Sequence, residues 1–242
     1  MDTPTLRAHE TQSQEFFLFF VGNLAKSVKQ VCFSTPPMQK YNTYLIFGAP
    51  GSGKGTQGSI LGQIPRFYHF ACGEVFRALD TRTAIGRAFM EYSSRGELVP
   101  DEITISLWKA RIEDHVESHL FKPDLDILIL DGIPRNLSQA ELMKDIIDVR
   151  KIFHLIVPDR SKLITRMKRR AVKENRFDDA KESVIIDRLE TYEAQTRPLL
   201  DYYGKELVVE IDAIKAPVVV LSEILQHITK DGAGTMPEQQ EF

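Results

Sequence analysis

The chain has 242 residues, 43% of them hydrophobic and 27% charged, with a formal net charge of −3. That length suits one α/β domain with small insertions rather than two large domains, and the charge balance gives no sign of a nucleic-acid partner. Two cysteines, Cys32 and Cys72, make neither a disulfide framework nor a four-ligand zinc site, which points to a reducing compartment and a cytoplasmic location.

Residues 1–40 read as an N-terminal extension outside the main fold, with a short helix over 15–31. Their apolar run, Phe16 to Val21, is too short to span a membrane, and Arg7 is outweighed by Asp2, Glu10 and Glu15, unlike the positive start of a secretory signal. A membrane-surface anchor or docking helix is the alternative, and Met38 is a candidate start codon. The main domain is expected over 41–230. Its pattern begins with a strand at 43–47, a glycine-rich turn and a helix from Lys54. An edge strand at 67–70 and helices at 73–80, 84–95 and 101–120 follow, the last opened by Pro100-Asp101. His115 and His119 on that helix read as a solvated face. The run Asp126-Ile127-Leu128-Ile129-Leu130-Asp131 is a strand buried on both faces. After it come helix 137–149, strand 151–157, helices 160–171 and 179–203, strand 207–211, helix 216–229 and a flexible tail, 231–242. Alternating strands and helices predict a three-layer α/β sandwich on a parallel five-stranded sheet. Ligands in such folds lie beyond the carboxyl ends of the strands, so the loops after Phe47 and Leu130 should face one another.

The first of those loops, Gly48-Ala49-Pro50-Gly51-Ser52-Gly53-Lys54-Gly55-Thr56, has the Gly-x-x-x-x-Gly-Lys spacing of a P-loop NTPase. Glycines let the backbone turn tightly and aim several N–H groups at one oxyanion, the helix adds its positive end, and Lys54 can reach the β- and γ-phosphates. The residue after Lys54 is Gly55, and the hydroxyl comes one later, at Thr56. Mg2+ bound with ATP is therefore expected mainly through phosphates and water, partly held by Asp131, with direct ligation by Thr56 as the alternative.

With its glycine after the lysine, this loop resembles that of the adenylate kinase family, and the similarity continues in order over 43–229. Leu130-Asp131-Gly132-Ile133-Pro134-Arg135 is similar to that family's Leu-Asp-Gly-Phe-Pro-Arg. The resemblance implies that Arg135 meets the AMP phosphate and the moving group, and that Gln139 reads the adenine of AMP. A side-chain amide suits that task, since it offers both a donor and an acceptor. Relatives preferring UMP or CMP typically carry asparagine, and Asn136 resembles those, so the acceptor base stays open. Cys72-Gly73-Glu74-Val75-Phe76-Arg77 resembles the Thr-Gly-Asp-x-x-Arg of the AMP site, which implies that Arg77 holds the AMP phosphate. Cys72 stands where the family has threonine, near a helix N-terminus that could lower its pKa, with a small buried filler as the equal alternative. Val99 corresponds to a residue packing on the AMP base.

The basic run from Lys162 to Arg176 resembles the family's lid. Arg166 corresponds to the arginine stacking on the adenine of ATP, and Arg170, or Arg169, to one meeting its phosphates. Arg176, in Arg176-Phe177-Asp178-Asp179, corresponds to the arginine bridging both nucleotides, and Arg188 to the next. The Asp212-Ala213-Ile214-Lys215 loop matches the one touching the ATP base. With only Ala171 to Asn175 between Arg170 and Arg176, the lid, about 166–178, is a short one without structural metal. Together with an AMP-site insertion at about 71–100, the resemblance implies a monomeric enzyme moving the γ-phosphoryl group of ATP to AMP and yielding ADP. It has no membrane span and no nucleic-acid partner. Kinases for other nucleoside monophosphates, and a nucleotide sensor without turnover, are the competing readings.

Overall fold

A computed structural model describes residues 40–174 and 181–232. All but Lys40 of the expected extension, all but two residues of the expected tail, and the Arg176-Phe177-Asp178-Asp179 motif lie outside the described residues.

Five parallel strands form one sheet in the order β2-β3-β1-β4-β5: β1 Tyr41–Gly48, β2 Phe67–Ala71, β3 Ile127–Asp131, β4 Ile147–Ile156 and β5 Val208–Asp212. The helices are α1 Lys54–Leu61, α2 Cys72–Arg77, α3 Ala84–Ser94, α4 Asp101–Glu117, α5 Leu137–Met143, α6 Arg160–Lys173, α7 Glu182–Thr191, α8 Leu199–Tyr203 and α9 Pro217–Lys230. A π-helical turn, Tyr192–Thr196, follows α7.

Side chains alternate across each strand, so neighbouring apolar residues serve different layers. Tyr44, Ile46, Ile129, Phe153 and Ile211 face Leu61 of α1, Met167 of α6, Ile185 of α7 and Ile224 of α9. Leu45, Phe47, Leu128, Leu130 and Ile152 face Trp108 and Ile112 of α4 and Met143 of α5. The sheet is thus covered on both sides, which is the three-layer sandwich. Its winding reverses at β1, whose neighbours are β3 and β4. The crevice at that reversal, beyond the carboxyl ends, is where such sheets hold ligands. Thr43 to Ile46 pair with Leu128 to Asp131, so the loop after β1 and the segment after β3 leave the sheet side by side.

Several expected boundaries move. Helix 137–149 stops at Met143, and β4 begins at Ile147, earlier than the expected 151. The long helix 179–203 is interrupted by the π turn and by Pro198. Asp231, expected to open a flexible tail, instead accepts hydrogen bonds from Tyr44 Oη (2.7 Å) and Arg150 Nε (3.1 Å). Helix 101–120 ends at Glu117, and His115 is no solvated face, because its ring hydrogen-bonds Tyr68 and lies edge-on to it. Among the described residues, no helix is long and apolar enough to cross a membrane.

Candidate active site

A cleft of about 720 Å³ opens at the carboxyl ends of β1 and β3. One wall is the glycine loop. Gly51 and Gly53 have φ of +85° and +103°, conformations that side chains rarely adopt. A Cβ on Gly51 would also lie 3.0 Å from the Leu163 carbonyl oxygen and 3.1 Å from Met167 Cγ, so only glycine lets the loop press onto α6. The α1 helix that follows has no side-chain cap, which leaves its first N–H groups to whatever the loop holds.

Lys54 Nζ donates to the carbonyl oxygens of Gly48 (2.7 Å) and Ala49 (3.2 Å), inside its own loop. Burial lowers its pKa from 10.5 to about 8, Asp131 opposes the shift, and Arg170, Arg135 and Arg188 add to it. Four charged side chains from distant parts of the sequence therefore act on one ammonium. A crowd of cations around one ammonium is mutually unfavourable, and a polyanion would relieve it. Buried next to this loop, Ser52 Oγ and Gln57 Oε1 have no hydrogen-bond partner among the described residues, while Gln57 Nε2 donates to the Pro217 carbonyl (3.0 Å).

The facing wall comes from β3 and the segments packed on it. Asp131 pairs in register with Ile46 on one side and Ala71 on the other. Arg135 Nε donates to the Gly132 carbonyl (2.8 Å), folding the guanidinium over its own turn. Thr196 Oγ1, from the π turn, donates to the Arg135 carbonyl (2.7 Å). Arg77 curls over Gly73, its terminal nitrogens 3.1–3.2 Å from where a Cβ there would stand. Gln139 is buried at 1% exposure; its Oε1 accepts from Arg135 N (2.8 Å) and its Nε2 donates to Asp101 Oδ1 (2.8 Å). Val99 also lines the cleft. Gly96, at φ +74°, lets the turn after α3 meet α7: a Cβ would stand 3.0 Å from the Val184 carbonyl oxygen and 3.1 Å from Arg188 Cγ.

The third wall is α6 with the loop after β5. Arg166 donates through both terminal nitrogens to the Ala213 carbonyl (3.1 and 3.0 Å), so the two segments expected around one base are in contact. Arg169 and Arg170 both line the cleft, but Arg170 is the one whose charge acts on Lys54. Lys215 lines it too, with its ammonium 3.2 Å from Glu223. The structure therefore brings together Gly51, Ser52, Gly53, Lys54, Gly55, Thr56, Cys72, Gly73, Arg77, Val99, Asp131, Gly132, Arg135, Gln139, Arg166, Arg170, Arg188 and Lys215. Arg176 lies outside the described residues.

Two expectations are corrected. Cys72 does not gain a lowered pKa from its helix: burial is the largest influence and pushes the thiol up to about 11, against the pull of Arg135 and Arg77. Asn136 does not lie open to a base. Its Oδ1 caps α5 by accepting from Gln139 N (2.9 Å), and its Nδ2 donates to Asp101 Oδ1 (2.9 Å). Sequence reasoning missed Thr196 and Gln57. No local pattern marks Thr196, whereas Gln57 directly follows the loop motif, and that position was a usable signal.

A family model described as adenylate kinase matches residues 46–208. An adenylate kinase of Synechococcus sp. is 38% identical over 166 residues, covering 66% of this chain and 81% of the relative. One from Cyanothece sp. is 37% identical over 191 residues, covering 76% and 93%. One from Phocaeicola vulgatus is 34% identical over 194 residues, covering 75% and 98%. The matched span runs from the end of β1 to the start of β5 and takes in the glycine loop, the end of β3 and the basic face of α6. On this agreement of loop, cleft and relatives, the chain belongs to the adenylate kinase family.

Proposed function

We propose that this chain transfers the γ-phosphoryl group of ATP to AMP, giving two ADP. The observation that carries the reading is the convergence of Lys54, Asp131, Arg135, Arg170 and Arg188 on one cleft. The glycine loop, Arg166 and the Ala213–Lys215 segment would seat ATP. Cys72, Gly73, Arg77, Val99, Gly132 and Gln139 would seat AMP.

Phosphoryl transfer asks the protein for alignment and charge neutralisation more than for covalent chemistry. The attacking AMP phosphate is already anionic, so no general base is needed. Lys54 would leave the Gly48 and Ala49 carbonyls for the donor phosphates, and the same polyanion would restore its full charge. Arg135 and Arg77 would hold the acceptor phosphate, while Arg170 and Arg188, with Arg176, would surround the moving group. Fixed donors of this kind are each worth about 10²–10³ in rate. Water must be excluded or ATP is hydrolysed instead; the short lid at about 166–178 and the segment at about 71–100 are the parts proposed to close.

The residues fit a nucleotide-bound Mg2+. The Asp131 carboxylate stands beside the loop, with Oδ2 3.4 Å from where a Cβ on Gly55 would be, and both Asp131 and Thr56 line the cleft. Asp131 would hold the ion, largely through water, with Thr56 nearby. Bound with ATP, Mg2+ neutralises charge on the β- and γ-phosphate oxygens.

A cytoplasmic monomer completes the proposal, with residues 1–40 as an added segment outside the catalytic domain. An acceptor panel of AMP, UMP, CMP and GMP with Mg–ATP tests the reading. A clear preference for AMP supports it; preference for another base, or no transfer at saturation, overturns it.

A further inference from the structure

Gln139 presents an amide whose two ends are chemically different but nearly identical in shape. An amide free to turn would offer its donor and acceptor in either order. Here each end is assigned by what it meets. The Arg135 backbone N–H can only donate, so Gln139 Oε1 must face it (2.8 Å). The Asp101 carboxylate, when ionised, only accepts, so Gln139 Nε2 must face it (2.8 Å). Asn136 is set by the same logic: its Nδ2 donates to the same Asp101 oxygen (2.9 Å), and its Oδ1 accepts from Gln139 N (2.9 Å). Gln139 lines the cleft, whereas Asp101 stands behind it in the first turn of α4.

We propose that Asp101 is a specificity-positioning residue: it locks the Gln139 amide in one orientation, and so makes the site select a 6-aminopurine over a 6-oxopurine acceptor. The inference rests on the AMP reading above. The amide keeps one N–H and one oxygen lone pair for a base, now in a fixed order. Adenine offers an amino donor beside a ring-nitrogen acceptor. Hypoxanthine offers a carbonyl acceptor beside a ring N–H donor, the reverse order at the same two places. A locked amide matches only one of these and opposes the other at both positions, while an amide that can turn accepts either. Sites built on fixed polar groups discriminate in this way because the wrong ligand leaves buried groups unpaired.

The test compares kcat/KM for AMP and IMP in the full chain with wild-type protein, Asp101→Ala and Asp101→Ser. A serine hydroxyl can donate as well as accept and suits a helix's first turn, so it removes Asp101's part of the lock, leaving only the Arg135 N–H to oppose turning, even if the alanine variant fails to fold. Wild type should prefer AMP, and in either variant the AMP-to-IMP ratio should fall about tenfold, with kcat for AMP changed less than its KM. An Asp101 that merely supports the start of α4 would lower both substrates by the same factor. An unchanged ratio, or equal losses, overturns the inference, as does wild-type protein that uses AMP and IMP equally. Preference of the wild type for a pyrimidine monophosphate would instead overturn the AMP reading itself.

Discussion

The two sides of the cleft are built in different ways. On the glycine-loop side the grip is backbone: one uninterrupted stretch, Gly48 to Thr56, supplies the turn, the helix start and the lysine. On the β3 side it is assembled from side chains on separate segments, each held by another: Arg135 by Thr196, Gln139 by Asp101, and α7 by its close approach to Gly96. A polyphosphate needs many equivalent donors, which peptide N–H groups provide without side-chain entropy. An acceptor base needs a few groups in a set order, which side chains provide only when others fix them.

Four substitutions or conditions sharpen that contrast. The largest effect belongs to Lys54→Met, which should lower kcat by about 10²–10³ while circular dichroism shows the fold retained. A loss below tenfold would remove the lysine from the transferring centre. Next is Gly96→Ala, which places a Cβ against α7 at positive φ; chemical denaturation should show a stability loss of about 1–3 kcal/mol, and KM for AMP should rise as Arg188 shifts. A neutral effect would mean that the two segments are not tightly apposed.

The pH dependence comes third. Because Lys54 has a pKa of about 8, it is charged at pH 7 and largely neutral at pH 9, and bound phosphates must pull its proton back. The KM for Mg–ATP should therefore rise about tenfold between those values, with kcat at saturation less affected, and Lys54→Arg should flatten the profile. For stability the sign is opposite. The folded pKa lies below the unfolded one, so this group opposes folding at neutral pH, and the penalty fades as pH rises from about 8 toward 10.5. The smallest effect is that of Thr196→Val, which removes one hydrogen bond to the Arg135 carbonyl and should raise KM for AMP by about three- to tenfold, with Thr196→Ser restoring it.

Legibility in the sequence follows the same division. The loop, β1 and β3 announce themselves because their determinants are local: glycine spacing, and apolar runs buried on both faces. The order of the lid arginines could be read along one helix. What stayed hidden depends on partners far along the chain. The start of β4 read as the end of helix 137–149, with the strand beginning only at 151; the strand starts at Ile147, and Arg150 and Lys151 within it pair with Asp231, far along the sequence. Asn136 looked like a base reader because its capping bond and its tie to Asp101 are invisible without α4 in place. For Cys72 the sequence left activation at a helix start and burial as a small filler both open, and burial is what the fold imposes.

The central claim is direct transfer between two nucleotides in a cleft closed to water, and the fate of a labelled γ-phosphoryl group tests it most directly. With γ-labelled ATP, Mg2+ and AMP, the label should appear as the β-phosphate of ADP, with free phosphate near background and no labelled protein. Label released as inorganic phosphate, or lodged on a side chain before reaching AMP, would contradict the account.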